Sequence, residues 1–192
     1  MGMVVAVNHA MTTMATGGFS TKNDSAAYWN DNPLIQYILI LFMFIAGANF
    51  VLSYFGFKGR FQKIIRDDEF RWYSGFVIAF AIIAALVIYF QADMGLSSID
   101  HPMVWGEGES AFRHALFQVI SIITTTGLIT AYYTLMTPFL TVLFFVMFFL
   151  GGCSASTSGG VKVMRHMYMI TNGVMEFIRS LTLNAILPGR IY

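Results

Sequence analysis

The sequence predicts an all-α integral membrane protein built from repeated membrane-helix/pore-loop/membrane-helix units. Three observations carry that prediction. The chain is 57% hydrophobic and 11% charged, with mean hydropathy +0.67, whereas soluble domains carry roughly 45–50% apolar and about 25% charged residues. Two runs free of formal charge, Leu34 to Phe57 and Trp72 to Gln91, are long enough at ~1.5 Å per residue to cross the ~30 Å hydrocarbon core. A polar, glycine-bearing phrase also occurs twice, as Ala15-Thr16-Gly17-Gly18-Phe19-Ser20-Thr21 and as Thr124-Thr125-Thr126-Gly127-Leu128-Ile129-Thr130. Each copy follows a helix-like run and precedes a proline-started apolar segment.

Taken in order, Met1 to Ala10 lacks the basic start of a signal peptide and reads as the tail of an amphipathic or pore-type helix. The chain is expected to begin inside a larger unit. After the first glycine phrase, Pro33 suits a helix first turn, where its missing N–H costs nothing, and opens the first span. Lys58 to Arg71 holds Lys58, Arg60, Lys63, Arg66 and Arg71 and is assigned to the cytoplasm by the positive-inside rule. The second span follows, then Asp93 to Glu109, which is acidic without Lys or Arg and is therefore expected outside. Phe112 to Thr126 is apolar but short, and Arg113, His114 and Gln118 interrupt it. Such a stretch is expected to be re-entrant, with Arg113 and His114 facing the outer interface or a neighbouring repeat. Pro138 to Leu150 is a further span, broken by the small residues Gly151 to Gly160. That stretch holds no helix on propensity alone, and non-helical backbone at membrane depth survives only when buried in protein or lining water. Val161 to Leu187 resumes with Lys162, Arg165 and Arg179, as for an approach to the cytoplasm.

The repeat is readable as a unit. Gly18 aligns with Gly127, Thr21 with Thr130, Pro33 with Pro138, and Phe44-Ile45-Ala46-Gly47 with Phe149-Leu150-Gly151-Gly152. The expected organisation is residues 1–57 as the end of one unit, 58–71 as a cytoplasmic loop, 72–187 as a complete unit and 188–192 as a tail. Internal repeats of this kind place the transport site at the repeat interface.

Glycine permits the strained backbone that turns carbonyls toward an axis, and rings of carbonyls replace the hydration shell of a cation. The candidate ion-binding residues are therefore Thr16, Gly17, Gly18 and Phe19 with Thr125, Thr126, Gly127 and Leu128. Two ordinary polar turns at helix ends are the plainer reading of either copy alone; their matching places in matching units favour a filter. The candidate gate is Gly151, Gly152, Cys153, Ser154, Ser156, Thr157, Ser158, Gly159 and Gly160, a polar break inside an apolar segment. It is not a phosphate loop, because Gly159-Gly160-Val161-Lys162 lacks the Gly-Lys-Ser/Thr order. A flexible linker is the plain alternative. Lys162 and Arg165 beyond it either meet cytoplasmic water, which the sequence favours, or form a barrier in an inner vestibule. Asp93, Asp100, Glu107 and Glu109 either concentrate cations at a mouth or are ordinary solvated loop charge.

Some functions are excluded. Net charge +1 makes no electrostatic case for nucleic acid. The single cysteine, Cys153, forms no internal disulfide and no metal cluster, and is expected as a small buried thiol. The spans hold no paired carboxylates and no Cys/His arrangement, so an enzyme is not expected.

The chain resembles the Trk/Ktr/HKT superfamily of potassium transporters, in particular its bacterial TrkH type. The matching phrases are Asn8-His9-Ala10-Met11-Thr12-Thr13 running into the first glycine phrase, Asp67-Asp68-Glu69-Phe70-Arg71-Trp72-Tyr73, Ala111-Phe112-Arg113-His114-Ala115-Leu116-Phe117-Gln118-Val119, Thr124-Thr125-Thr126-Gly127, and Phe149 through Val163. The resemblance covers essentially the whole chain. It implies four repeats around one pseudo-four-fold pore of voltage-gated-channel type, with one filter glycine per repeat; Gly18 and Gly127 occupy that position. It further implies K⁺ as the transported ion and Gly151–Gly160 as an intramembrane gating loop. It also implies a homodimer, a cytoplasmic nucleotide-binding regulatory subunit, and residence in the lipid of the bacterial inner membrane. In part of the superfamily a filter serine accompanies Na⁺ permeation, and neither glycine position here carries one. Thr182-Leu183-Asn184-Ala185-Ile186-Leu187-Pro188 resembles the connection to the fourth repeat, with Thr-Leu for the usual His-Pro. The expectation is thus a partial chain, running from the second-repeat filter through the third repeat, with the first and fourth repeats missing. Its function is K⁺ uptake by a channel or symporter; the alternatives are a Na⁺-permeable relative or a non-conducting fragment.

Overall fold

The computed structural model describes residues 2–91, 105–131 and 137–181. The acidic residues Asp93 and Asp100, the Thr182–Pro188 phrase and the 188–192 tail lie outside them. In chain order the helices are α1 (Met3–Met14), α2 (Pro33–Gly47), α3 (Phe50–Phe57), α4 (Phe61–Arg66), α5 (Asp68–Gln91), α6 (Glu107–Ile123), α7 (Pro138–Met147) and α8 (Val163–Leu181), with a 3₁₀ turn at Ser25–Trp29 between α1 and α2. Among the described residues the one extended pairing is a bridge between Leu150 and Val161.

Helix α6 is the hub. It packs against α5, α2 and α7, and most of its residues from Ser110 to Ile123 are buried, Arg113, His114 and Gln118 included. A helix buried along most of its length must set its polar groups against the protein interior, where partners are needed. It begins at Glu107, five residues before Phe112, because Glu107 and Glu109 in its first turn favour the positive end of the helix dipole. Helix α5 crosses beside it as the long apolar span, Asp68–Phe90. Its buried stripe is Tyr73, Val77, Ala81, Ala84 and Ile88, at helical spacing, with the alanines allowing close approach to α6. The other face of α5 exposes Ile78, Ile82, Leu86 and Phe90, and α7 likewise exposes Phe139, Val142 and Phe145. Large apolar surface of this extent belongs in lipid or against further protein.

The first apolar run is not one straight span. It bends by 117° between Pro33–Gly47 and Phe50–Phe57. Ala48 is extended, and the Asn49 side chain accepts from Val51 N at 2.9 Å to start α3 afresh. The groups freed by the break are taken up by a distant segment: Cys153 N donates to Gly47 O at 2.9 Å and Phe50 N to Ala155 O at 3.0 Å. Gly47 also sits where bulk is excluded, since a Cβ there would lie 2.5 Å from both Tyr73 Oη and Thr124 Cγ2.

Gly47→Ala is expected to lower the melting midpoint of detergent-solubilised protein by about 2–10 °C, the effect of overpacking by ~1–3 kcal/mol. Gly75→Ala, on an α5 surface with nothing within 4 Å, is expected to leave the midpoint unchanged or raise it. Equal midpoints for the two variants would contradict the packing assigned to Gly47.

Candidate functional site

The two glycine phrases fold into the same turn. Ala15 N donates to Met11 O and Thr124 N to Ile120 O, both at 2.9 Å. Thr16 N reaches Thr13 O at 3.3 Å, as Thr125 N reaches Ile122 O at 2.9 Å. Gly17 N reaches Thr12 O at 2.8 Å, as Thr126 N reaches Ser121 O at 2.9 Å. The backbone dihedrals match as well. Thr16 (φ 50) and Gly18 (φ 70) correspond to Thr125 (φ 55) and Gly127 (φ 81), while Gly17 and Thr126 between them keep negative φ. Alternation of φ sign gathers successive peptide groups onto one side instead of dealing them to opposite sides as in a strand. Threonine in the left-handed region costs on the order of 1–2 kcal/mol, so this backbone is held by its surroundings. Part of the hold is local: Thr12 Oγ1 accepts from Phe19 N at 2.8 Å, and Ser121 Oγ donates to Leu128 O at 2.6 Å.

The turns also meet each other. A methyl group at Gly18 would overlap the carbonyl oxygen of Thr126, so Gly18 is required by close approach as well as by its φ. Gly127 has open space around it and is required by φ alone. Phe19 points outward and is exposed, while Leu128 is fully buried. Behind the turns, His9 Nε2 lies 3.2 Å from Ser20 Oγ and His114 Nδ1 lies 3.0 Å from Thr130 Oγ1. Arg113 is buried, pairs with Glu109 at 2.9 Å and donates to Gln36 of α2. Of the two expected placements, the outer interface or a neighbouring repeat, Arg113 takes the second through Gln36, whereas His114 is buried against Thr130 of its own unit.

The small-residue break is a folded loop. Its ends are tied by Gly151 N to Val161 O at 2.9 Å and Val163 N to Gly152 O at 3.1 Å. Inside it, Gly152 N donates to Ser158 Oγ at 2.9 Å and Ser156 Oγ to Cys153 O at 2.6 Å. A Cβ on Gly151 would stand 2.5 Å from Gly159 O, which explains the need for glycine there. The loop reaches both glycine turns. Gly159 N donates to Thr125 Oγ1 at 2.7 Å, and Thr16 Oγ1 donates to Thr157 O at 3.1 Å. Thr157 Oγ1 in turn donates toward Met14 O at 3.3 Å and Ala46 O at 3.4 Å. The loop and the two glycine turns are thus in contact through Thr16, Thr125, Thr157 and Gly159, with Cys153 fully buried within the loop, while Phe19 stands exposed.

Two charged residues have roles that the sequence did not disclose. Lys162, which the sequence favoured in cytoplasmic water, folds back so that Nζ donates to Ser158 O and, at 3.5 Å, to Ser156 O. Glu69, grouped in sequence with Asp67 and Asp68, is only 5% exposed. Its carboxylate accepts from Ser154 N at 2.5 Å and from Ser154 Oγ at 3.0 Å. A signal for it existed, because Glu69 falls four residues before Tyr73 on the buried stripe of α5.

Residues 2–191 match the TrkH family, described as cation transport protein. The chain belongs to the TrkH family. It is 34% identical over 182 residues to the Trk system potassium uptake protein TrkH of Salmonella typhimurium and 35% identical to that of Escherichia coli K12, in both cases across 94% of this chain. A solved TrkH, the potassium transporter from Vibrio parahaemolyticus, superposes with TM-score 0.86 at 29% identity, covering all of this chain and 39% of that one. The chain spans 35% of the length of the two curated relatives. Membership fits the repeated helix, pore-loop, helix architecture and a membrane location.

Removing the Glu69 carboxylate is expected to loosen the loop. Glu69→Ala should raise the rate of maleimide labelling at Cys153, read peptide by peptide in mass spectrometry, by about tenfold, the effect of losing a charge-assisted hydrogen bond. An unchanged rate would mean that Glu69 does not hold the loop.

Proposed function

We propose that this chain forms part of the pore of a Trk-type potassium uptake system in the bacterial inner membrane. Thr16, Gly17, Gly18 and Phe19 act there with Thr125, Thr126, Gly127 and Leu128 as two adjacent segments of a K⁺ filter. The observation that carries the proposal is the close apposition of two turns with three matching backbone hydrogen bonds and the same φ pattern, with Gly18 lying against the Thr126 carbonyl. Carbonyls gathered on one side replace the water of a cation without covalent chemistry. The relatives' names, which specify potassium uptake, support K⁺ as the ion.

In this reading residues 1–57 close the second repeat, 58–71 form a cytoplasmic connection that is not a bare loop, since it holds α4 and the first turn of α5, and 72–187 form the third repeat. The first and fourth repeats supply the remaining filter segments. The loop Gly151–Gly160 obstructs the path below the filter until a cytoplasmic nucleotide-binding subunit acts on it. The assembly is a homodimer. The loop's bonds to Thr16 and Thr125 support this role, because they seat it against both turns at once.

The test uses a full-length transporter carrying this segment in cells that lack K⁺ uptake. Growth on low K⁺ and Rb⁺ uptake are expected, and Gly18→Ser or Gly127→Ser should lower the Rb⁺/Na⁺ uptake ratio by about tenfold or more, the size of one well-placed polar interaction. Absence of rescue from a well-expressed protein would sink the proposal. Equal Rb⁺ and Na⁺ uptake by the parent would identify a Na⁺-permeable relative instead.

A further inference from the structure

Behind the second glycine turn runs a chain of buried polar side chains that crosses from one repeat to the other. Arg113 on α6 is fully buried and Gln36 on α2 equally so, while Asn30, at the end of the 3₁₀ turn, is 3% exposed. Arg113 Nε donates to Glu109 Oε1 at 2.9 Å, and its Nη1 donates to Gln36 Oε1. Gln36 Nε2 donates to Asn30 Oδ1 at 2.5 Å, and Asn30 Nδ2 donates to Thr130 O at 3.2 Å. Tyr37 Oη closes the far end by donating to Glu109 Oε1 at 2.8 Å.

The direction of this chain is fixed by its ends. A guanidinium only donates and a backbone carbonyl only accepts. Both intervening amides must therefore present oxygen toward Arg113 and NH₂ toward Thr130, and neither reverses without leaving a buried group unmatched. Asn30 and Gln36 follow the first glycine turn; Arg113 and Thr130 belong to the second. The chain therefore sets the position of the second turn's outer end relative to the first. Ser25 adds a parallel tie, accepting from Ile129 N at 3.3 Å. A buried arginine is costly to place in an apolar setting, and apolar side chains of equal volume would serve stability as well. What an ionic and amide relay adds is a single allowed geometry.

We infer that Arg113, Gln36 and Asn30 form a positioning relay that fixes the separation of the two glycine turns and so tunes the preference for K⁺ over the smaller Na⁺. The inference rests on the pore function proposed above and deepens it. Serving the smaller ion requires the carbonyls to draw inward, and a relay anchored on a buried ion pair resists that movement. The three side chains act through the turns they hold.

The decisive variants cut the relay without unpairing the arginine. Gln36→Glu keeps an acceptor for Arg113 and removes the donor to Asn30; Asn30→Ala removes the acceptor for Gln36 and the donor to Thr130 together. In a full-length transporter carrying this segment, the Rb⁺/Na⁺ uptake ratio is measured, a quantity independent of how much protein reaches the membrane. Both variants are expected to lower it by about tenfold, as for loss of at least one buried hydrogen bond, with Rb⁺ transport retained. Arg113→Lys, which keeps the charge but not the fork, should fall between parent and Gln36→Glu. A ratio within about twofold of the parent in both cut variants, while Gly18→Ser shifts it in the same assay, would overturn the relay and leave the pore function standing. A parent without Rb⁺ uptake would overturn both.

Discussion

Every peptide group that leaves a helix inside a hydrocarbon layer must find a partner within the protein. Among the places where the described chain departs from helix are the two glycine turns, the Gly47–Asn49 break and the loop after α7, and these departures satisfy one another. Gly47 O is capped by Cys153 N and Phe50 N finds Ala155 O. Thr125 Oγ1 takes Gly159 N and Thr157 O takes Thr16 Oγ1. None of these segments is complete alone. The helices around them are the scaffold that holds four irregular pieces within bonding distance, and α6 is buried because it delivers one of those pieces from the centre.

That mutual dependence separates what was legible in the sequence from what was not. The long span of α5, the prolines opening α2 and α7, the repeated glycine phrase and the broken apolar segment are one-dimensional signals. They come from composition, spacing and local conformational preference. The 117° bend after Gly47 is not of that kind, because no uninterrupted apolar run announces a break whose hydrogen bonds are supplied from Cys153 and Ala155. The left-handed threonines at 16 and 125 were equally hidden, since threonine is a poor candidate for positive φ until a neighbour enforces it. Charge misled for a related reason. Glu69 and Lys162 border polar segments and read as solvated; each instead turns inward to bond the loop. Helical phase marked Glu69 as buried, whereas nothing marked Lys162.

The two turns share a backbone but not a setting. The first has glycine where the second has Thr126, and exposed Phe19 where the second has buried Leu128. Each has a histidine behind it, His9 on Ser20 and His114 on Thr130, yet the histidines come from different positions along their helices. The first is backed by the edge of Trp29, 4.8 Å from His9 between ring centres, the second by the Arg113 chain. Backbone geometry is thus the shared element, and the side chains that enforce it differ. A pore needs carbonyls in equivalent places, a condition placed on the main chain and not on what stands behind it.

The loop is fastened to the helix-proximal ends of both turns through the hydroxyls of Thr16 and Thr125, residues that themselves sit in a strained conformation. Loop and turns therefore share bonds, and a displacement of the one changes the free energy of the other. Linkage makes such coupling reciprocal: withdrawing the loop shifts the conformations open to the turns, and whatever occupies the turns shifts the conformations open to the loop. On that footing an occupant of the turns is an effector of the loop, and a partner that moves the loop is an effector of the turns.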